Sequence, residues 1–471
     1  MLSTSNPLTT EPVSRVLPRL AVPMMLGSLA LVTFHLADTF FVGRLGRHAL
    51  AAIAFTFPVV FTVTSLSVGM AVGASSVVAR AVGSGDRRRL QTFATGALLL
   101  ALVVVIAVSA VGWLTIGVLF SALGADKDTL PLIRQYMQVW YPGAVFMVVP
   151  VVGNGALRGL GDTRTPSRLM ILAAVINLVL DPLLIFGLGP FPPLGIAGAA
   201  GATVLAYVVS PSVALWVLAV RDRLLVFPTL GELLAAWRSI LHVGGPAMLT
   251  TMLAPMATAW LTRLAAGQGA SVVAAMGVLI RIEALAMIGI RGLGTVLTPF
   301  MGQNLSAGLG PRIREGYRYS VRFSLLWGLA VAVVLAALAP LIAKIFATDS
   351  SVERWILAML WVVPITYGLA GWLHLGASAA NGLGRPMEAT LLNGFRLVVS
   401  VGLIAWIGAR LSGARGLIVA IAAGNLVSGG FAAIRFRRCA RHHAAAAAGS
   451  TATASVLSGS NRPPRQAVDS P

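Results

Sequence analysis

The stretch Leu20-Ala21-Val22-Pro23-Met24-Met25-Leu26 returns in altered form as His242-Val243-Gly244-Gly245-Pro246-Ala247-Met248-Leu249, with Pro246 lying 223 residues after Pro23. In the same register Ala51-Ala52 return as Ala274-Ala275 and Gly69 as Gly292. Farther out, Arg158-Gly159-Leu160-Gly161 returns as Asn381-Gly382-Leu383-Gly384, and Pro166 meets Pro386 once three residues are dropped from the second copy. Each copy holds several continuous apolar runs long enough to cross a bilayer. The expected fold is therefore an all-α polytopic membrane protein, with about twelve transmembrane helices in two pseudo-symmetric six-helix lobes. Repeats of this kind place substrate sites at their interface in secondary transporters.

Composition excludes most other classes. The chain is 57% hydrophobic and 11% charged over 471 residues, too apolar for a soluble multidomain enzyme. Runs such as Thr95 to Leu119 and Ser324 to Ile342 are continuous, whereas a β-barrel alternates over roughly ten residues per strand. The single cysteine, Cys439, follows the last span, so no intrachain disulfide and no cysteine-based zinc site is available. The first 12 residues lack a basic segment followed by a cleavable apolar core, so no signal peptide is expected and the first span itself targets the chain.

A net charge of +20 invites a nucleic-acid reading, which the placement of the charges opposes. Spans are expected near 17 to 43, 50 to 80, 91 to 119, 129 to 155, 167 to 189, 195 to 220, 239 to 265, 272 to 302, 314 to 346, 352 to 377, 387 to 409 and 414 to 434. Alternate loops hold most of the arginine: Arg87-Arg88-Arg89, then Arg158, Arg164 and Arg168, then Arg221, Arg223 and Arg238, then Arg312, Arg314 and Arg318, then Arg385, then Arg435, Arg437, Arg438 and Arg441. The intervening loops carry scattered charges such as Arg44, Lys127 and Arg354. By the positive-inside rule both termini are cytoplasmic, and the basic excess is a topology signal with no nucleic-acid partner behind it. Domains follow: an N-terminal cytoplasmic tail 1–15, a first lobe 16–220, a cytoplasmic linker 221–238, a second lobe 239–435, and an Ala/Ser/Pro-rich disordered tail 436–471.

Inside the spans a charge is costly, so each ionisable side chain should face protein or a wet cavity. Asp38 lies in the first span, Asp181 in the fifth and Glu283 in the eighth. At about 1.5 Å per residue, Asp38 sits about 8 Å and Asp181 about 12 Å below the same outer face. Asn177 shares a helical face with Asp181, and Pro182 frees a carbonyl one turn back where the helix can bend. Two carboxylates close together in low dielectric cannot both ionise cheaply, so such a pair holds a proton or a cation. Arg281 stands two positions from Glu283, a spacing that points them to different faces. At the repeat offset Asp38 faces Leu261 and Glu283 faces Val60, so the copies share a skeleton but not their charges. Ion coupling is therefore expected in the first lobe, with Glu283 and Arg281 shaping a cavity in the second. Pro23 and Pro246 are the matched candidate bend points.

Four motifs carry a resemblance: Ala37-Asp38-Thr39-Phe40-Phe41-Val42-Gly43-Arg44-Leu45-Gly46, Ala79-Arg80-Ala81-Val82-Gly83-Ser84-Gly85-Asp86, Leu157-Arg158-Gly159-Leu160-Gly161-Asp162-Thr163, and Asn177-Leu178-Val179-Leu180-Asp181-Pro182. In this order they resemble the multidrug and toxic compound extrusion (MATE) family over residues 15 to 435. The Asp38 position with Asn177 and Asp181-Pro182 looks like the DinF-like branch, although Leu31 stands where a glutamine is often found. The resemblance implies a V-shaped pair of six-helix bundles in a bacterial cytoplasmic (inner) membrane. It implies export of organic, cationic or amphipathic compounds against inward H+ or Na+, with no cofactor. Carried over by motif, Asp38, Asn177 and Asp181 form the cation site, the one place where Na+ is expected, with Tyr136, Asn154 and Thr203 as polar neighbours. The expected partners are small organic molecules and membrane lipid, and the expected state is monomeric.

Two other classes are set against this reading. A lipid-linked precursor flippase of a related superfamily needs a strongly cationic central cavity, and the spans show mainly Arg281 and Arg291. A membrane-embedded enzyme or ATP-driven pump needs a catalytic or nucleotide motif, and no HExxH, G-x-S-x-G or P-loop stands in or beside the spans. The arginine pattern makes the 158 to 168 loop cytoplasmic. A cysteine engineered beside Arg164 should resist a membrane-impermeant thiol reagent in intact cells, and rapid labelling from outside would reverse the assigned orientation.

Overall fold

The computed structural model describes residues 7–347 and 349–459. A single turn, α1 (Pro7–Thr10), precedes the first repeat: α2 (Val13–Gly43), α3 (Arg47–Ser84), α4 (Arg87–Ala122), α5 (Thr129–Leu160), α6 (Arg164–Phe186) and α7 (Gly195–Trp216), the last prolonged by a π-helical stretch Val217–Arg221. The second repeat runs α8 (Leu230–Ala266), α9 (Ala270–Ala286), α10 (Ile288–Ser306), α11 (Gly310–Phe346), α12 (Ser350–Val362), α13 (Tyr367–Gly382), α14 (Pro386–Phe395) and α15 (Ala405–Gly459). A 3-10 turn, Val363–Thr366, joins α12 to α13, and a π-helical stretch, Arg396–Ile404, joins α14 to α15. Among the described residues there is no strand.

Ten segments are long and apolar enough to cross a bilayer, and α9 with α10, bent by 44°, supplies an eleventh. The segment Pro386–Arg435, at 50 residues, is too long for one crossing and breaks at Ser412 and Gly413, whose φ and ψ are not helical. The described chain therefore crosses twelve times, six per repeat, as the sequence predicts. The repeat also shows in the turns: Gly46 and Gly269, Gly85 and Gly308, and Gly161 and Gly384 all have positive φ and are paired at the 223-residue offset. A side chain at these left-handed positions is strained, which fixes glycine at both copies.

Three expectations about boundaries shift. The linker 221–238 is shorter, because Thr229 and Glu232 form a reciprocal capping box and start α8 at Leu230. The expected disordered tail overlaps α15, which runs on to Gly459 through the alanine run 444–448, a strong helix former; residues 460–471 lie outside the described residues. The eighth span is not one rod but a bent pair, broken at Met287. Pro23 and Pro246, by contrast, lie inside continuous helical assignments.

The first helix of each repeat changes lobes along its length. Val13, Val16, Leu17, Leu20, Ala21 and Met24 of α2 belong to the core built by Ala275, Leu279, Leu293 and Phe300 of the second lobe. Farther along, Phe34 meets Tyr207 of α7 edge-on at 6.2 Å, back on the first lobe. The mirror holds for α8, whose Ala236 and Ile240 join the first-lobe core while Ala265 joins the second. Pro23 and Pro246 stand close to the points where α2 and α8 are handed from one lobe to the other.

Small residues make the crossings close. A Cβ on Gly69 would lie 2.2 Å from Met248 Cγ, and one on Gly292 would lie 2.5 Å from Met25 Cγ, so both partners of this contact obey the repeat. Tight packing of this kind is what holds helices together where lipid removes the hydrophobic drive. Cross-lobe hydrogen bonds join at the same end: Gln303 Nε2 donates to Gly159 O at 2.7 Å and Ser76 Oγ to Asn381 O at 2.6 Å. Asn304 Nδ2 and an Arg312 guanidinium nitrogen both donate to Leu8 O, at 3.0 and 3.1 Å. These contacts lie in the helix halves toward the arginine-rich loops. The cross-lobe contacts gather there, and toward the opposite end α2 and α8 turn back onto their own lobes.

A bulkier residue at this seam should loosen it. A Cβ at Gly73 would lie 2.4 Å from Ile240 O, whereas nothing stands within 4 Å at Gly277. Gly73→Leu should cost ~1–3 kcal/mol and lower the melting temperature in detergent, with Gly277→Leu near wild type. Equal melting of the two variants would remove the seam from the account.

Candidate functional site

The first lobe gathers its polar residues from four helices. On α6, Asn177 and Asp181 are one turn apart and fully buried, and Asn177 Nδ2 donates to Asp181 Oδ1 at 3.0 Å. Pro182 has no N–H, so the ladder bond to the Leu178 carbonyl is missing beside the carboxylate. Asp38, on α2, and Asp181 lie within electrostatic reach of each other, and both act on the Tyr136 hydroxyl of α5. Tyr136 and Thr203 are each 6% exposed, and Thr203 enters from α7, which packs against α6 through Gly198 and Leu184. By helical rise, Asp38, Asp181, Tyr136 and Thr203 all lie within about 12 Å of the ends of their helices away from the arginine-rich loops.

This cluster is short of donors. Asp181 Oδ2, Asn177 Oδ1 and Asp38 Oδ1 are buried and accept no hydrogen bond from the protein. Buried oxygens left without donors in a native fold call for a chemical reason, and an acceptor-only set fits a proton or a small oxygen-seeking cation. A multidentate transition-metal centre does not fit, since no group of three His, Cys, Asp or Glu occurs among the described residues. Asn154 does not belong to the cluster. It is buried, but it follows Tyr136 by eighteen residues on the same helix, up to about 27 Å nearer the arginine-rich end by helical rise.

The second lobe holds charges of the other sign. The ion-pair partner of Glu283 is Arg396, Nη2 to Oε1 3.8 Å, and not the exposed Arg281 two residues away. Arg291, one turn past the α9–α10 break, lies within electrostatic reach of Glu283 and Arg396. His374 of α13 lies within electrostatic reach of both arginines and Tyr367 within reach of Glu283. Sequence reasoning missed Arg396, His374 and Tyr367 here. The signal for Arg396 was present, an arginine ten residues into an apolar span.

An apolar pocket of about 340 Å³ lies between α2 and α6, lined by Leu26, Leu29, Phe34, Ile171, Val175 and Leu178. Its lining reaches Leu178, three residues before Asp181 on α6.

Similarity to known proteins follows the same plan. The MatE family model matches residues 23–183 and again 246–406, two stretches set 223 residues apart. The chain is 39% identical over 424 residues to an FAD transporter of Shewanella oneidensis, covering 90% of this chain and 94% of that one. It is 25% identical over 390 residues to the multidrug export protein MepA of Staphylococcus aureus, covering 80% of this chain and 83% of that protein. Among solved structures, the Vibrio cholerae MATE transporter VcmN in the bent form superposes with a TM-score of 0.86 at 28% identity, covering 92% of this chain and 98% of that one. A MOP superfamily transporter from Pyrococcus furiosus, for which reversed polarity of the binding pocket is said to suggest a different function, superposes at 0.85 with 28% identity, covering 94% and 99%. Two matched repeats, twelve crossings and a shared two-lobe fold make this chain a member of the MatE family, a membrane transporter and not an enzyme.

Proposed function

We propose that the chain is a secondary antiporter of the bacterial cytoplasmic membrane, of the DinF-like kind, exporting an organic compound in exchange for H+ or Na+ bound at Asp38, Asn177 and Asp181. The observation that carries the reading is the set of buried, donor-less oxygens on Asp38, Asn177 and Asp181. Asp38 stands on α2, the helix that changes lobes, so occupancy of the site acts directly on the element joining them. An ion and a cargo exchange only if each favours a different arrangement of the lobes. Ion binding draws the outer half of α2 into the first lobe, with Pro23 as the bend, and the cleft then releases its cargo outward. With both termini cytoplasmic, the arrangement described above is the outward-open one, closed at the arginine-rich end.

For the cargo, the likeness to an FAD transporter outweighs the organic cation expected from the sequence. A flavin dinucleotide pairs an apolar ring system with a charged linker, and the apolar pocket between α2 and α6 suits the ring. The arginines of the second lobe also keep a lipid-linked diphosphate in view as a second reading. The protein acts as a monomer in this scheme, with membrane lipid as its surroundings.

Asp38→Asn and Asp181→Asn keep the side-chain size and remove the ionisable group. Each should abolish FAD uptake into everted vesicles driven by an imposed proton or sodium gradient, with membrane insertion unchanged. Uptake at the wild-type rate that still depends on the gradient, in either variant, would place the coupling group elsewhere.

A further inference from the structure

Two arginines stand near mid-span in the second lobe, and the carboxylate beside them is loosely held. Arg396 opens the π-helical stretch Arg396–Ile404, and Arg291 sits one turn past the 44° break. Irregular helix of both kinds recurs at functional sites, because it re-aims side chains and frees backbone groups. The Arg396 to Glu283 separation of 3.8 Å is longer than a hydrogen bond, with the two side chains 25% and 31% exposed. The pair is loose and partly open, and so displaceable. Arg291 is exposed where α10 runs along the lobe interface, its neighbour Gly292 packed on Met25 of α2. The hydroxyl of Tyr367, on the adjacent α13, is buried with no hydrogen-bond partner.

Placing two guanidinium groups near each other in a membrane interior is costly, and one carboxylate leaves a net positive charge. A bound group of two or more negative charges removes that cost. Planar guanidinium forks match phosphate oxygens in pairs, and a tyrosine hydroxyl adds a neutral donor. We propose that Arg291 and Arg396 form a phosphate cradle in the second lobe that holds the diphosphate of an organic cargo, and that Glu283 is the counter-ion the cargo displaces. The inference rests on the exporter reading above and deepens it: the first lobe takes the ion and the second takes the cargo's charge. The recognised chemistry is an organic diphosphate, supplied either by a soluble dinucleotide or by an isoprenyl lipid.

The test is equilibrium binding to the purified full-length protein in nanodiscs, using FAD, riboflavin, which lacks phosphate, and farnesyl diphosphate. Wild type should bind FAD about ten-fold or more tightly than riboflavin. Arg291→Gln and Arg396→Gln should each weaken FAD by about ten-fold or more while leaving riboflavin unchanged, which also reports that the variants are folded. The lysine variants should fall between. Glu283→Gln should move the other way and tighten FAD, a sign that a merely structural role for the pair does not produce. Preference for farnesyl diphosphate over FAD would assign the cradle to a lipid-linked cargo. Wild-type FAD affinity in both glutamine variants, or weaker FAD binding in Glu283→Gln, would overturn the cradle. So would failure of the wild type to bind either diphosphate. Gradient-driven efflux of a cationic dye by the same protein reconstituted in sealed vesicles would then leave the antiport reading standing without it.

Discussion

What ties the two lobes together is the contact between α2 and α10, with its repeat between α8 and α3. At each, a glycine admits a methionine and the backbone behind it, Gly292 to Met25 and Gly69 to Met248. In lipid, helices gain little from hiding apolar surface, so close backbone approach carries the association. The first helix of each repeat is thereby anchored on the opposite lobe by its beginning and on its own lobe by its end. A helix held this way cannot stay indifferent to a change in the angle between lobes. Asp38 lies on its far half, beyond Pro23, where such a change is felt most.

The polarity of the two lobes follows from a common skeleton with different inserts. Where the first repeat places Asp38, the second has Leu261, and where the second places Glu283, the first has Val60. The outcome is a first lobe with two carboxylates and no cation among the residues gathered there, and a second with Arg291 and Arg396 around one carboxylate. Opposite signs on opposite sides of one cleft suit an exchanger, since cation and cargo then compete through the arrangement of the lobes and not for one set of ligands.

Much of this was legible in the sequence because periodic apolar length and a repeated proline-glycine skeleton are one-dimensional signals. The twelve crossings, the repeat offset, the similar depth of Asp38 and Asp181 and the shared face of Asn177 and Asp181 come from spacing, whereas their grouping as one site came from the motif resemblance. Tertiary facts were not legible in the same way. Asn154 shares a helix with Tyr136, and membership in one span says nothing of depth until the helix is laid out. The two-residue spacing of Arg281 and Glu283 sends their side chains to different faces, and only the tertiary structure names the partner of Glu283, on a helix more than a hundred residues on. The break at Met287 carries no proline, and Gly289 two residues on is a weak mark in a glycine-rich membrane chain. The early start of α8 was readable in Thr229 and Glu232, and was hidden by treating the basic stretch as loop.

In the proposed exchange cycle the lobes rock about their arginine-rich seam under control of the ion held by Asp38 and Asp181. Pulsed electron resonance between spin labels at Lys127 and Arg354, at the opposite end of the two lobes, measures this directly. Two distance populations are predicted, whose shares change when protons or sodium are added and stay fixed in Asp181→Asn. A single distance that ignores the ion in the wild type, or an equal response in Asp181→Asn, would contradict it.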